Sequence, residues 1–143
     1  MAEVTREQTL DALQNGWATY VSRFHALSPE AQNEFLKKQG FACFTDVLAH
    51  VTAWWEEGEL VIKGILKDPE YRWASYEVDV FNAQAIRRFS GLEETVVVGS
   101  FELARISFAV LVSDLPEEAF TNKKIAGWLY ADVIEHLQDH AIS

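Results

Sequence analysis

The sequence predicts an all-α domain, a four-helix bundle, on three observations. Apolar residues recur three or four apart through four long stretches. Capping residues and prolines punctuate the boundaries between them. The one β-branched run, Thr95-Val96-Val97-Val98, has helical flanks and no evident partner strand, so it also reads as helix.

The first helix spans about Thr5 to Leu27, with Leu10, Leu13, Trp17, Tyr20 and Phe24 on its buried side and Thr5 with Gln8 as a capping box. Ser28-Pro29-Glu30 is a fresh cap with proline at the first helical position. It opens a short extra helix around Phe35 and Leu36 that Gly40 ends. The second long helix opens at Thr45 or Asp46 and carries the stripe Val47, Val51, Trp54, Val61 and Ile65 until Asp68-Pro69 stops it. Gly58 and Gly64 inside it cost roughly 1 kcal/mol each relative to alanine, which close packing or a bend would explain. Residues 68–77, DPEYRWASYE, form a long connection whose three rings, Tyr71, Trp73 and Tyr76, are expected to cover something. A third helical region runs from Val78 to about Asp114, with a break or kink at Ser90-Gly91. Phe81, Ala85, Ile86 and Phe89 repeat before the break, and Val97, Phe101, Ile106, Phe108 and Leu111 after it. Leu115-Pro116 punctuates. The last helix begins near Thr121 or Asn122 and reaches about Ala141, burying Ile125, Trp128, Leu129, Val133, His136 and Leu137.

With 143 residues, 49% hydrophobic and 24% charged, the chain makes one globular domain, residues 1–143. Twelve Lys and Arg against 22 Asp and Glu leave a net charge of −10. That charge repels phosphate and anionic lipid, so nucleic acid and membrane are not expected partners. The single cysteine, Cys43, forms no internal disulfide and is expected as a small buried residue. MAEVTREQTL lacks a basic start followed by an apolar run, and the expected compartment is the cytoplasm. No GxSxG, Walker, GxGxxG or CxxC motif is present.

Chemistry concentrates on histidine. His136 and His140, in EHLQDH, lie one helical turn apart on one face, either as a surface pair near the end of the last helix or as a pair close enough to share an ion about 2.0–2.1 Å from each nitrogen. His50, in DVLAHVTAWW, falls in phase with Val47, Val51 and Trp54, on the buried stripe. A buried imidazole needs partners for both nitrogens, either ordinary hydrogen bonds or an ion shared across the bundle. Asp132, four residues before His136, is positioned to accept a proton from a histidine's other nitrogen, or to be a plain helix-face charge. Glu57 lies about 10.5 Å along the axis from His50, too far for the same ion; it reads as a solvated glutamate among Glu56, Glu57 and Glu59, or as part of a cavity wall. His25, near the end of the first helix, reads as surface. Trp17, Trp54 and Trp128 read as core before ligand platform.

The segments DVLAHVTAWWEEGE, VDVFNAQAIRRF, LVSDLPEEAF and WLYADVIEHLQDH, in that order over residues 40–141, resemble the DinB-like superfamily, and within it the ClbS/DfsB-type branch. The resemblance implies an up-up-down-down-type bundle, often a homodimer. It also implies a divalent ion, nickel or zinc, on three histidines, here His50, His136 and His140. Leu137 departs from relatives that carry an aromatic there, which bears on pocket shape. Asn82 matches the Asn of VDVFN, and it reads as a cap or a helix-to-helix hydrogen bond, or else as a pocket residue. Members of known activity include thiol-dependent transferases and isomerases and proteins that protect against reactive small molecules. The expected function is metal-dependent thiol transfer or hydrolysis on a small reactive molecule, with a low-molecular-weight thiol as co-substrate of the first. The alternative is a non-catalytic, stress-protective binding bundle with no functional metal.

Overall fold

A computed structural model of the chain describes residues 3–142. Among the described residues there are six helices and no strand. Helix α1 (residues 6–25) starts at Thr5, whose hydroxyl accepts the Gln8 N–H at 3.0 Å. It is not uniform: it widens to a π turn at Ala12–Gly16 and tightens to a 3-10 turn at Trp17–Thr19. Helix α2 (Pro29–Gln39) follows the Ser28 cap and ends at Gly40, whose φ of 79° suits glycine. Helix α3 (Phe44–Lys67) is the longest. After an irregular connection come α4 (Val78–Phe89) and α5 (Glu94–Asp114), which Ser90-Gly91 divides, with Gly91 at φ 81°. A 3-10 turn at Glu117–Thr121 leads to α6 (residues 123–139). Asn122 caps it, its Oδ1 accepting the N–H groups of Lys124 and Ile125.

Helix α3 is central and packs on α4, α5 and α6, while α1 packs on α5. Burial explains that position: its stripe from Val47 to Ile65 is inaccessible to solvent along almost its whole length. The heart of the core is aromatic. Trp17 meets Trp55 edge-on at 5.1 Å, and Trp55 stacks on Phe101 at the same distance. Phe24 stacks on Phe44 at 3.9 Å. The guanidinium of Arg6 donates to the carbonyls of Val112, Ser113 and Leu115 where α5 ends, and of these Val112 O also accepts the Leu115 N–H.

Helix α6 holds the feature least visible in the pattern. A π turn at Tyr130–Glu135 interrupts it. One additional residue in a turn re-aims the following face by about 100°. The carbonyls of this wide turn are held from two other helices. The Trp55 indole N–H donates to Asp132 O at 2.9 Å, and that of Trp17 to Val133 O at 3.0 Å. Gly58 of α3 lies against the same turn, and a Cβ there would stand 2.1 Å from Asp132 Oδ2.

Three expectations need correction. Cys43 is exposed, because it sits in the turn just before α3 and outside the core. Ile106 is 51% exposed: α5 buries the face of Phe101, Ala104 and Phe108, and Ile106 lies on the opposite one. On α3 it is Trp55 that is fully buried, whereas Trp54 is half-buried beside a cavity.

Candidate metal centre

Three imidazoles converge where α3 meets the end of α6. His50 comes from α3, His136 from the turn after the π segment, and His140 from the residue that ends α6. One ligand nitrogen from each ring lies within 4.8 Å of the others. Ring centroids are 5.1 Å apart for His50 with either partner and 5.5 Å for His136 with His140. His50 is buried and the other two are half-buried. The end of α6 is fastened, since Tyr20 donates its hydroxyl to His140 O at 2.7 Å.

The second nitrogen of each ring decides the chemistry. His50 Nδ1 lies 3.0 Å from Asn82 Oδ1. That oxygen also receives the Trp54 indole N–H at 2.8 Å, and an indole only donates, so the Asn82 atom is the acceptor and His50 Nδ1 carries the proton. His136 Nδ1 donates to the Asp132 carbonyl at 3.1 Å. His140 Nδ1 lies 2.6 Å from Gln39 Oε1, while Gln39 Nε2 donates to the Asp139 carbonyl at 3.0 Å, which fixes the amide's orientation. All three Nδ1 atoms are therefore protonated donors, and each Nε2 presents a lone pair. A metal needs that tautomer, and acceptors behind the ligands are the usual way to hold it.

Burial favours neutral rings. It lowers His136 to about 3, with help from His50 and His140, and lowers His140 to about 4, with help from His50. Burial also lowers His50, against the opposing Asn82 hydrogen bond. Three neutral imidazoles, each with a ligand nitrogen within 4.8 Å of the others, fit a divalent ion of the nickel, copper or zinc kind.

A cavity of about 630 Å³ opens beside the centre, touching His50 and His136. Its walls are largely aromatic: Trp54, Trp73, Tyr76 and Trp128. Two of these rings come from the 68–77 connection, which folds back over the domain. Trp73 meets Trp128 edge-on at 5.6 Å, and Tyr76 packs between Trp54 and Trp128. Tyr71 of the same connection lies over Gly64, where a Cβ would come within 2.8 Å of the ring. That contact gives Gly64 a packing reason.

The other sequence candidates take up distinct places. Trp54 lines the cavity and bonds Asn82. Asn82 ties α4 to α3 by gripping His50 rather than facing the cavity. Glu57 accepts the Tyr76 hydroxyl at 2.6 Å, which fixes the wall. Asp132 reaches the cavity, but it serves His136 through its main-chain carbonyl, not its carboxylate. Oδ2 of that carboxylate is buried with no hydrogen-bond partner among the described residues. Burial and the neighbouring Glu57 raise the Asp132 pKa well above the usual carboxylate range. His25 is half-exposed and pairs with Glu94 at 3.1 Å. Sequence reasoning missed Gln39, Trp55 and the π turn. Gln39 is one glutamine at the end of a polar helix, and nothing in its neighbours marks it as a partner of His140, 101 residues away.

No protein-family model, curated protein or solved structure matches this chain.

Proposed function

We propose that this is a metalloprotein of the DinB-like four-helix-bundle type, in which His50, His136 and His140 hold a divalent ion, nickel or zinc, beside a pocket for a small reactive molecule. The observation that carries the reading is the set of three Nδ1–H groups, each committed to an oxygen that can only accept. Ordinary core histidines need no common tautomer and no common point of aim. Here all three share both.

A bound divalent ion would supply Lewis acidity, which makes a thiol or a water a stronger nucleophile. The chain's own residues do the rest. Trp73 and Trp128 present apolar surface to the body of a small molecule. Tyr76, braced by Glu57, closes one side of the pocket. Lys123 and Lys124 stand among the lining residues together with Glu135 and Asp139, so the pocket offers charges of both signs to a polar group on the incoming molecule. The reaction class is thiol transfer to a small electrophile, or its hydrolysis.

The test is elemental analysis of tag-free protein, with a His136→Ala/His140→Ala control. About one ion per chain, lost in the double variant, is the expected result. No ion after incubation with nickel and with zinc would overturn the reading. The aromatic walls favour a second reading, a binding protein that needs no metal. It predicts that small aromatic molecules quench tryptophan emission equally in the double variant and the parent.

A further inference from the structure

The cavity beside the histidines holds one carboxyl that no side chain of the protein engages. Asp132 is only 3% exposed, yet it lines the cavity. Its Oδ2 is buried without a hydrogen-bond partner among the described residues, and Oδ1, which has no partner there either, is the oxygen the cavity reaches. Neighbouring polar side chains are already committed: His50 and Trp54 share Asn82, and Tyr76 donates to Glu57. A carboxyl buried without a partner costs free energy, and such a group marks a place that something else completes.

Aromatic rings make much of the remaining wall. Tyr76 stands at 69° to Trp54 and 76° to Trp128, with centroids 5.3 and 5.9 Å apart, and Trp73 stands at 85° to Trp128. Steeply inclined rings form the walls of a box, whereas parallel ones would fill it as a stack. A carboxyl set among aromatic rings is the combination a cationic nitrogen selects: the oxygen takes its N–H, and the rings attract its charge. We propose that the cavity takes an organic amine, with Asp132 binding its nitrogen and the rings of Trp54, Trp73, Tyr76 and Trp128 holding the hydrocarbon beside it. The nitrogen carries at least one N–H, because a quaternary ammonium would leave the carboxyl without its bond. The proposal rests on the reading of this cavity as the ligand pocket and names the class of molecule it admits.

The charges around the cavity are sorted along α6, and their order favours a nitrogen at Asp132. Lys123 and Lys124 stand exposed at the start of the helix, and Lys124 is eight residues, about 12 Å, from Asp132. Water and salt screen exposed charges over that distance. Glu135 and Asp139 lie on the other side of Asp132, toward the histidine centre, and Glu57 stands behind Tyr76. No lysine or arginine forms an ion pair with Asp132 among the described residues. The net charge of −10 draws cations toward the protein as a whole.

Calorimetric titration of the chelator-treated full chain tests this with three probes of similar shape and different charge: 2-phenylethylamine, 2-phenylethanol and phenylacetate. The amine should bind about 10- to 100-fold more tightly than the alcohol, the worth of a hydrogen bond to a charged group, and the carboxylate should bind most weakly. Asp132→Asn keeps the volume and should bring the amine down to the alcohol's affinity, leaving the alcohol within about twofold, with circular dichroism to verify folding. Trp73→Leu lies in the irregular connection, where the change spares the helices, and should weaken the amine about 2- to 5-fold more than the alcohol. Lys123→Ala/Lys124→Ala should leave the amine within about twofold. Equal affinities for amine and alcohol, tightest binding by the carboxylate, an Asp132→Asn variant that binds the amine like the parent, or no binding by any probe at millimolar concentration would each overturn the proposal. None of these outcomes depends on metal content, so a chain that takes up no ion and still prefers the amine would sink the metal reading alone.

Discussion

Acid should destabilise the metal-free protein through the histidine centre, and by a calculable amount. His136 and His140 are held at about 3 and about 4 when folded, against 6.5 for a free imidazole. A group lowered in this way contributes stability above pH 6.5, and that stability is lost as pH falls toward the folded value, because the unfolded chain binds the extra proton. From pH 7 to 5 the loss is about 2 kcal/mol for each of the two rings, or about 4 kcal/mol together. Domains are stable by roughly 5–15 kcal/mol, so this is a large fraction, worth on the order of 10 °C in Tm for a chain of this size. Asp132 works in the opposite direction. Its raised pKa makes the folded state hold a proton that the unfolded state releases, so acid favours folding there. Comparison with His136→Gln/His140→Gln removes that contribution, because Asp132 is common to both proteins. The assay is urea unfolding of chelator-treated protein at pH 7, 6 and 5. The parent should lose about 4 kcal/mol more than the double variant by pH 5. Equal slopes would refute the reasoning, because they would mean that the rings take up protons in place.

Three further outcomes follow from the packing. Gln39→Ala and Asn82→Ala remove the acceptors that fix two of the tautomers, and each should weaken zinc binding about 10- to 100-fold by competition titration without changing the helical content. Gly58→Ala forces a methyl into the space of Asp132 Oδ2 and should cost about 1–3 kcal/mol in urea unfolding; a neutral result would mean the turn yields freely. Trp17→Phe keeps an aromatic ring but strips the Val133 carbonyl of its buried donor and leaves the space of the larger indole unfilled, with an expected loss of at least about 1–3 kcal/mol in the same assay.

The helices were legible because their signals are local. Thr5, Ser28 and Asn122 cap where capping residues should, and Asp68-Pro69 ends α3. The metal candidates were legible for a related reason: His136 and His140 share one turn, and His50 shares the phase of a buried stripe. What escaped depends on geometry between distant segments. The π turn at Tyr130–Glu135 has no signature in YADVIE, and its carbonyls find indoles from two other helices. Periodicity assigned Ile106 to the core because α5 is apolar all round, and a helix with two apolar faces does not say which one its own chain uses. For Trp54 and Trp55 the phase was right to within one residue, but one residue separates the core from the cavity wall.

One oxygen, Asn82 Oδ1, holds both His50 and the indole of Trp54. A fluorophore is thereby wired to the candidate centre through a single shared atom. Charge drawn from the imidazole by an ion would strengthen its pull on that oxygen and loosen the oxygen's grip on the indole. The emission of Trp54 should therefore shift in colour as an ion arrives, giving the protein an internal optical gauge of its own occupancy.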